Sequence, residues 1–151
     1  MSDRSYVLGR DAHRVSKHLW VGSMPPPSLK GSRFHMHVMC ALEDQRHRSV
    51  PVSIECPLID VETPLDVESW TDALESARWV NKARRHGKDV LVTCFAGVNR
   101  SAFVAALAMV QSGKSPQDAI LAIRERRKPR GGMMPLSNRE FIRVLVEGYS
   151  H

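Results

Sequence analysis

The stretch "DVLVTCFAGVNRSAFVAALAMV", Asp89 to Val110, restricts the fold more than any other part of the chain. A short apolar run ends at Cys94. A turn containing Gly97 follows, and from Arg100 the pattern is helical and apolar on nearly every side. Such a strand–loop–helix unit has to be buried, because neither element carries a polar face. A backbone wrapped between a strand end and a helix start points several N–H groups inward. With the helix dipole behind them, they form a site for a dianion. Gly97 allows the tight turn this needs, and Arg100 offers a planar fork of donors matched to two phosphate oxygens. Phe95, Ala96, Gly97, Val98, Asn99 and Arg100 are therefore the expected substrate cradle. The same field favours the thiolate of Cys94. Free cysteine titrates near about 8.5, and settings of this kind bring it to roughly 3.5–7.5. The loop is predicted to bind phosphate and to activate the nucleophile that attacks it.

The rest of the chain supplies a frame. At 151 residues it reads as a single domain, 1–151. "HLWVGS" is strand-like. "FHMHVMCAL" alternates, with Met36, Val38, Cys40 and Leu42 on one face, and "SVPVSIECPL" aligns Val50, Val52, Ile54, Cys56 and Leu58. The period then changes. Val67, Trp70, Leu74, Ala77 and Val80 form a helical stripe. Helix starts are expected at Thr63–Pro64–Asp66, at Ser115–Pro116–Asp118 and at Ser137–Glu140. Strands early and helices late predict an α/β domain. Its central twisted sheet is mostly parallel and flanked by helices, with the phosphate loop between a central strand and a buried helix.

Composition narrows the chemistry. The apolar run Phe103 to Val110 is too short to span a bilayer, and "MSDRSYVLGRD" has no signal-peptide core, so a cytoplasmic protein is expected. Cys40, Cys56 and Cys94 give an odd thiol count without a disulfide framework. The seven histidines show no zinc-ligand spacing, so no metal site is expected. The net charge is +6, with basic runs at Lys82–His86 and Arg124–Arg130. These runs either attract an anionic substrate or complement the negative ends of helices.

"CFAGVNRS" resembles the signature of the cysteine-dependent protein-tyrosine phosphatase superfamily, in particular the compact atypical dual-specificity phosphatases, whose loop reads H-C-x-x-G-x-x-R-[ST]. "VSKHLWVGS" and "FHMHVMCALED" are similar to that family's first core strands. "AILAIRERRKP" and "PLSNREFIRVL" are similar to its last two helices. The resemblance implies that Cys94 attacks phosphorus, Arg100 holds the phosphoryl oxygens, and Ser101 eases departure of the sulfur. It also implies an aspartate acid on a separate loop. "PLIDVETPLD" offers Asp60 and Asp66, and position at a strand end favours Asp60. Such a mechanism needs no cofactor or metal. The substrate expected first is protein phosphotyrosine, with phosphoserine or phosphothreonine beside it. Asn99 resembles the RNA 5′-phosphatase branch, which makes RNA an alternative partner, although Ala96 departs from that branch. A pseudophosphatase that only binds phosphate is a further alternative.

One position departs from the signature. Thr93 stands where the family loop carries histidine, a residue that orders the loop and supports the thiolate. The expectation is retained but slower turnover, with Cys94 less easily deprotonated. Thiol titration of the wild type and of Thr93→His checks this: the substitution is expected to make Cys94 more acidic, and an unchanged or less acidic thiol contradicts it.

Overall fold

The computed structural model describes residues 12–41, 49–127 and 133–149. Among them are the strands β1 (Ala12–Ser16), β2 (Leu19–Gly22), β3 (Phe34–Met39), β4 (Val52–Glu55) and β5 (Asp89–Thr93). The helices are α1 (Val67–Arg85), α2 (Arg100–Gln111), α3 (Pro116–Arg126) and α4 (Arg139–Glu147). They build one sheet in the order β1-β2-β5-β3-β4. β5 lies in the middle, parallel to both neighbours, and only β1 runs antiparallel. The expected mostly parallel α/β sheet is thus observed. β1 was not legible in advance. It returns on β2 through a turn in which His18 has φ 61.

Side chains alternate across the strands. Leu19, Val21, Met36, Val38, Val90 and Val92 join the helices in the larger core. Trp20, Phe34 and Leu91 lie on the other face, with Ala12, Leu29 and Val50. Val50 therefore departs from the face predicted for it, because Pro51 precedes a strand of only four residues. Cys40, Cys56 and Leu58 are core residues as expected, and Leu42 lies outside the described residues.

α2 is the hub of the helices. Residues Ser101 to Met109 are all buried, as an all-apolar helix requires. α1, α3 and α4 each pack against it. Phe103 of α2 stacks on Phe141 of α4 with ring centroids 4.6 Å apart. Among the described residues no helix is long and apolar enough to cross a membrane.

Two helix starts differ from expectation. α1 is capped by Asp66, whose carboxylate accepts from Ser69 N, not by Thr63. Val67, expected on the buried stripe, is exposed. α4 is capped by Asn138, not Ser137. α3 starts as predicted: Ser115 Oγ accepts from Asp118 N, with Pro116 in the first turn. The described residues of both basic runs fall at helix ends. Lys82, Arg84 and Arg85 lie in the last turn of α1, and Arg124 and Arg126 in that of α3.

Phe103→Ala opens a cavity at the centre of the packed helices. The expected loss is about 3–5 kcal/mol in denaturant unfolding. A loss below about 1 kcal/mol contradicts the assignment of α2 as the core helix.

Candidate active site

The loop from Cys94 to Asn99 joins the end of β5 to the start of α2. Its carbonyls from Phe95 to Asn99 all accept hydrogen bonds. Phe95 O accepts from Met24 N at 3.1 Å, Val98 O from Leu136 N at 2.8 Å, and Asn99 O from Phe103 N at 2.8 Å. Arg127 serves the two between them, donating from Nη2 to Ala96 O at 3.2 Å and from Nε to Gly97 O at 3.1 Å. In a trans peptide the N–H points opposite to the C=O. With the carbonyls turned out, the amides of residues 96 to 100 turn toward the loop's interior. These are the residues that the sequence reading assigns to a substrate cradle.

Gly97 has φ +68, and a Cβ there would meet the Arg127 guanidinium and lie 2.7 Å from Gly22 C. The glycine is required twice, by conformation and by space. Arg127 is itself fully buried and reaches His13 Nδ1 at 2.8 Å through Nη1. It was missed in the sequence, where it is one more cation in a basic run.

Cys94, the first residue of this loop, is buried. Its amide donates to Gly22 O at 3.3 Å, and its sulfur lies 3.2 Å from Ser101 Oγ. Ser101 is fully buried, so its hydroxyl is held against the sulfur. Arg100, half-buried, opens α2. Phe95 points outward and is 59% exposed, and Ala96 is also exposed.

Asp60 is brought to the same loop. Its Oδ2 accepts from Asn99 Nδ2 at 3.1 Å and its Oδ1 from Asn138 Nδ2 at 2.8 Å. Asp66, the other candidate, is occupied in capping α1. Asn99 is the helix N-cap position but makes no side-chain cap bond. Instead its Oδ1 accepts from Asn138 N at 3.0 Å and Ser137 Oγ at 3.3 Å. Its side chain thus ties the loop to Asp60 and to α4, while its backbone stays in the cradle. Asn138 caps α4 through Oδ1 and grips Asp60 through Nδ2. The sequence hid it, because the neighbouring Ser137 fits a helix start equally well.

Beneath the site, Cys40 and Cys56 belong to the core, and burial pushes the Cys40 thiol well above its usual range. Among the described residues no group of three His, Cys, Asp or Glu has the arrangement of a metal site.

The family model for the dual specificity phosphatase catalytic domain matches residues 21–150. The chain belongs to the dual specificity phosphatase family. Solved structures with the same fold as this chain include a mouse dual specificity phosphatase complexed with zinc tungstate. It has a TM-score of 0.73 and 19% identity over 95% of this chain and 91% of that one. Human DUSP28 has a TM-score of 0.70 and 19% identity, covering 89% and 94%. PTPMT1 has a TM-score of 0.68 and 19% identity, covering 91% and 92%. Comparison with curated protein sequences gives no match.

Asn138→Ala removes the cap of α4 and one of the two amides on Asp60. A stability loss of about 1 kcal/mol is expected from the cap, together with a fall in kcat of about tenfold from misplacement of the carboxyl group. Alkylation of Cys94 by iodoacetamide should be unchanged. An unaltered kcat would remove Asn138 from the site.

Proposed function

We propose that the chain hydrolyses phosphate monoesters on proteins, phosphotyrosine first and phosphoserine or phosphothreonine beside it, through a phosphocysteine on Cys94. The observation that carries this reading is the arrangement around the sulfur. Ser101 Oγ lies 3.2 Å from it, inward amides line the loop, and Asp60 is tied to that same loop through Asn99.

In the first step the Cys94 thiolate attacks phosphorus in line, forming the S–P bond while the ester P–O bond breaks. Arg100 and the amides of residues 96 to 100 hold the phosphoryl oxygens as charge builds on them. Asp60, protonated, gives its proton to the departing oxygen. In the second step the Asp60 carboxylate takes a proton from water, and the hydroxide attacks phosphorus. The S–P bond breaks, and the Ser101 hydroxyl donates to the sulfur that leaves as thiolate. Inorganic phosphate departs.

The rim supports a protein ester over an inositol phosphate. Phe95 is exposed on the loop, and exposed Ile59 and Val61 flank Asp60. Phe95, Ala96, Val98 and Asn99 bring no cation to the cradle besides Arg100. Apolar side chains around the mouth suit an aryl ester or apolar residues next to the phosphorylated one. A polyanionic headgroup would favour lysines there.

The test is a pH–rate profile on an aryl phosphate. Cys94→Ser should abolish turnover. Asp60→Ala should lower kcat about a hundredfold or more and remove the basic limb of the profile, because only the protonated acid serves the first step. Full turnover in Cys94→Ser, or an intact basic limb in Asp60→Ala, contradicts the assignment. Binding of phosphate without turnover would identify a recognition module.

A further inference from the structure

Thr93 precedes the nucleophile, and its hydroxyl is not idle. Its Oγ1 lies 2.8 Å from Nε2 of His37. The two residues come from neighbouring strands. β3 pairs with β5 so that His37 stands opposite Leu91 and Met39 opposite Thr93. His37 and Thr93 are therefore diagonal neighbours on the sheet face away from the helices, a spacing that a long side chain can bridge. Both are fully buried at 0% exposure. An imidazole and a hydroxyl removed from water are costly unless hydrogen-bonded, so the pair has a strong preference for this one geometry.

We propose that His37 is a positioning residue for the nucleophile and acts through Thr93. The proposal rests on the reading of Cys94 as the group that meets phosphate. Thr93 is held on three sides. Its carbonyl accepts from Cys40 N at 2.8 Å, and the amide that follows it, Cys94 N, donates to Gly22 O at 3.3 Å. The third hold is the bond to His37. A β-branched side chain has few χ1 choices, so fixing Oγ1 fixes the residue's orientation at the last step of β5. A tilt there would carry the Cys94 sulfur away from Ser101 Oγ and from the loop amides. Seen this way, the imidazole that the family signature places next to the cysteine is supplied from the adjacent strand. Threonine serves as the short link. The departure in the sequence is compensated in three dimensions.

The test uses the full chain and five variants: Thr93→Val, Thr93→Ser, His37→Leu, His37→Gln and the double variant His37→Leu/Thr93→Val. Turnover of an aryl phosphate is measured with thermal unfolding recorded for each. Thr93→Val and His37→Leu should each lower kcat about tenfold with little change in KM, a displacement effect. The double variant should be no slower than the worse single variant, because one interaction is removed in all three. Thr93→Ser keeps the hydroxyl and His37→Gln keeps an N–H near Nε2, so both should hold most of the activity. Wild-type turnover in Thr93→Val overturns the proposal. So does multiplication of the two losses in the double variant, or a loss in Thr93→Ser and His37→Gln as deep as in the truncations. Protection of Cys94 from iodoacetamide by inorganic phosphate is read in parallel. If the wild type does not turn over, the hydrolase reading fails. The proposal then stands or falls on whether Thr93→Val weakens that protection while Thr93→Ser preserves it.

Discussion

A row of outward-turned carbonyls sets the character of the site. A loop that binds a dianion has to present amides on one side, and each amide fixes a carbonyl on the other. Five consecutive carbonyls from Phe95 to Asn99 would be left without partners if the surroundings did not supply donors. Here the donors come from Met24, Arg127, Leu136 and α2. They belong to the segment after β2, the end of α3, the approach to α4 and the first turn of α2. The site is therefore a product of most of the fold. This explains why an arginine is buried within a basic run, where composition alone suggests a solvated helix end.

The candidate loop was legible because the spacing of Cys94, Gly97, Arg100 and Ser101 answers to a backbone shape that few sequences allow. The periodicity of β3, β5 and α2 was legible too, since buried elements leave a strong apolar pattern. What stayed hidden has a common cause. Asn138, Arg127 and His37 are polar residues that each bond to groups far away in the chain, and nothing local reveals those distant bonds. Val50 and Val67 fit the local period, yet packing placed the first on the opposite face and left the second exposed. β1 is short, carries polar side chains and owes its existence to pairing with β2. Helix starts were misplaced where two capping residues stood close together. Asp66 and Asn138 won because their side chains also answer to neighbouring backbone.

The segment that carries Asp60 is fastened along its length. Cys56 N and Leu58 N bond to Met39 O and Cys40 O at its entry. Asn99 and Asn138 hold Asp60 itself, and Asn138 also donates to Val61 O. Glu62 accepts from Arg139, and Leu65 O accepts from the Tyr149 hydroxyl at 3.0 Å, with Tyr149 stacked on Trp70. A segment tied at so many points has little conformational entropy left to lose when substrate arrives. On the proposed reading of Asp60 as the acid, its carboxyl group stands in place before the encounter and need not swing in afterwards. Closure of a lid is then not the step that gates turnover, and the temperature dependence of the rate should carry the signature of bond making and breaking at phosphorus.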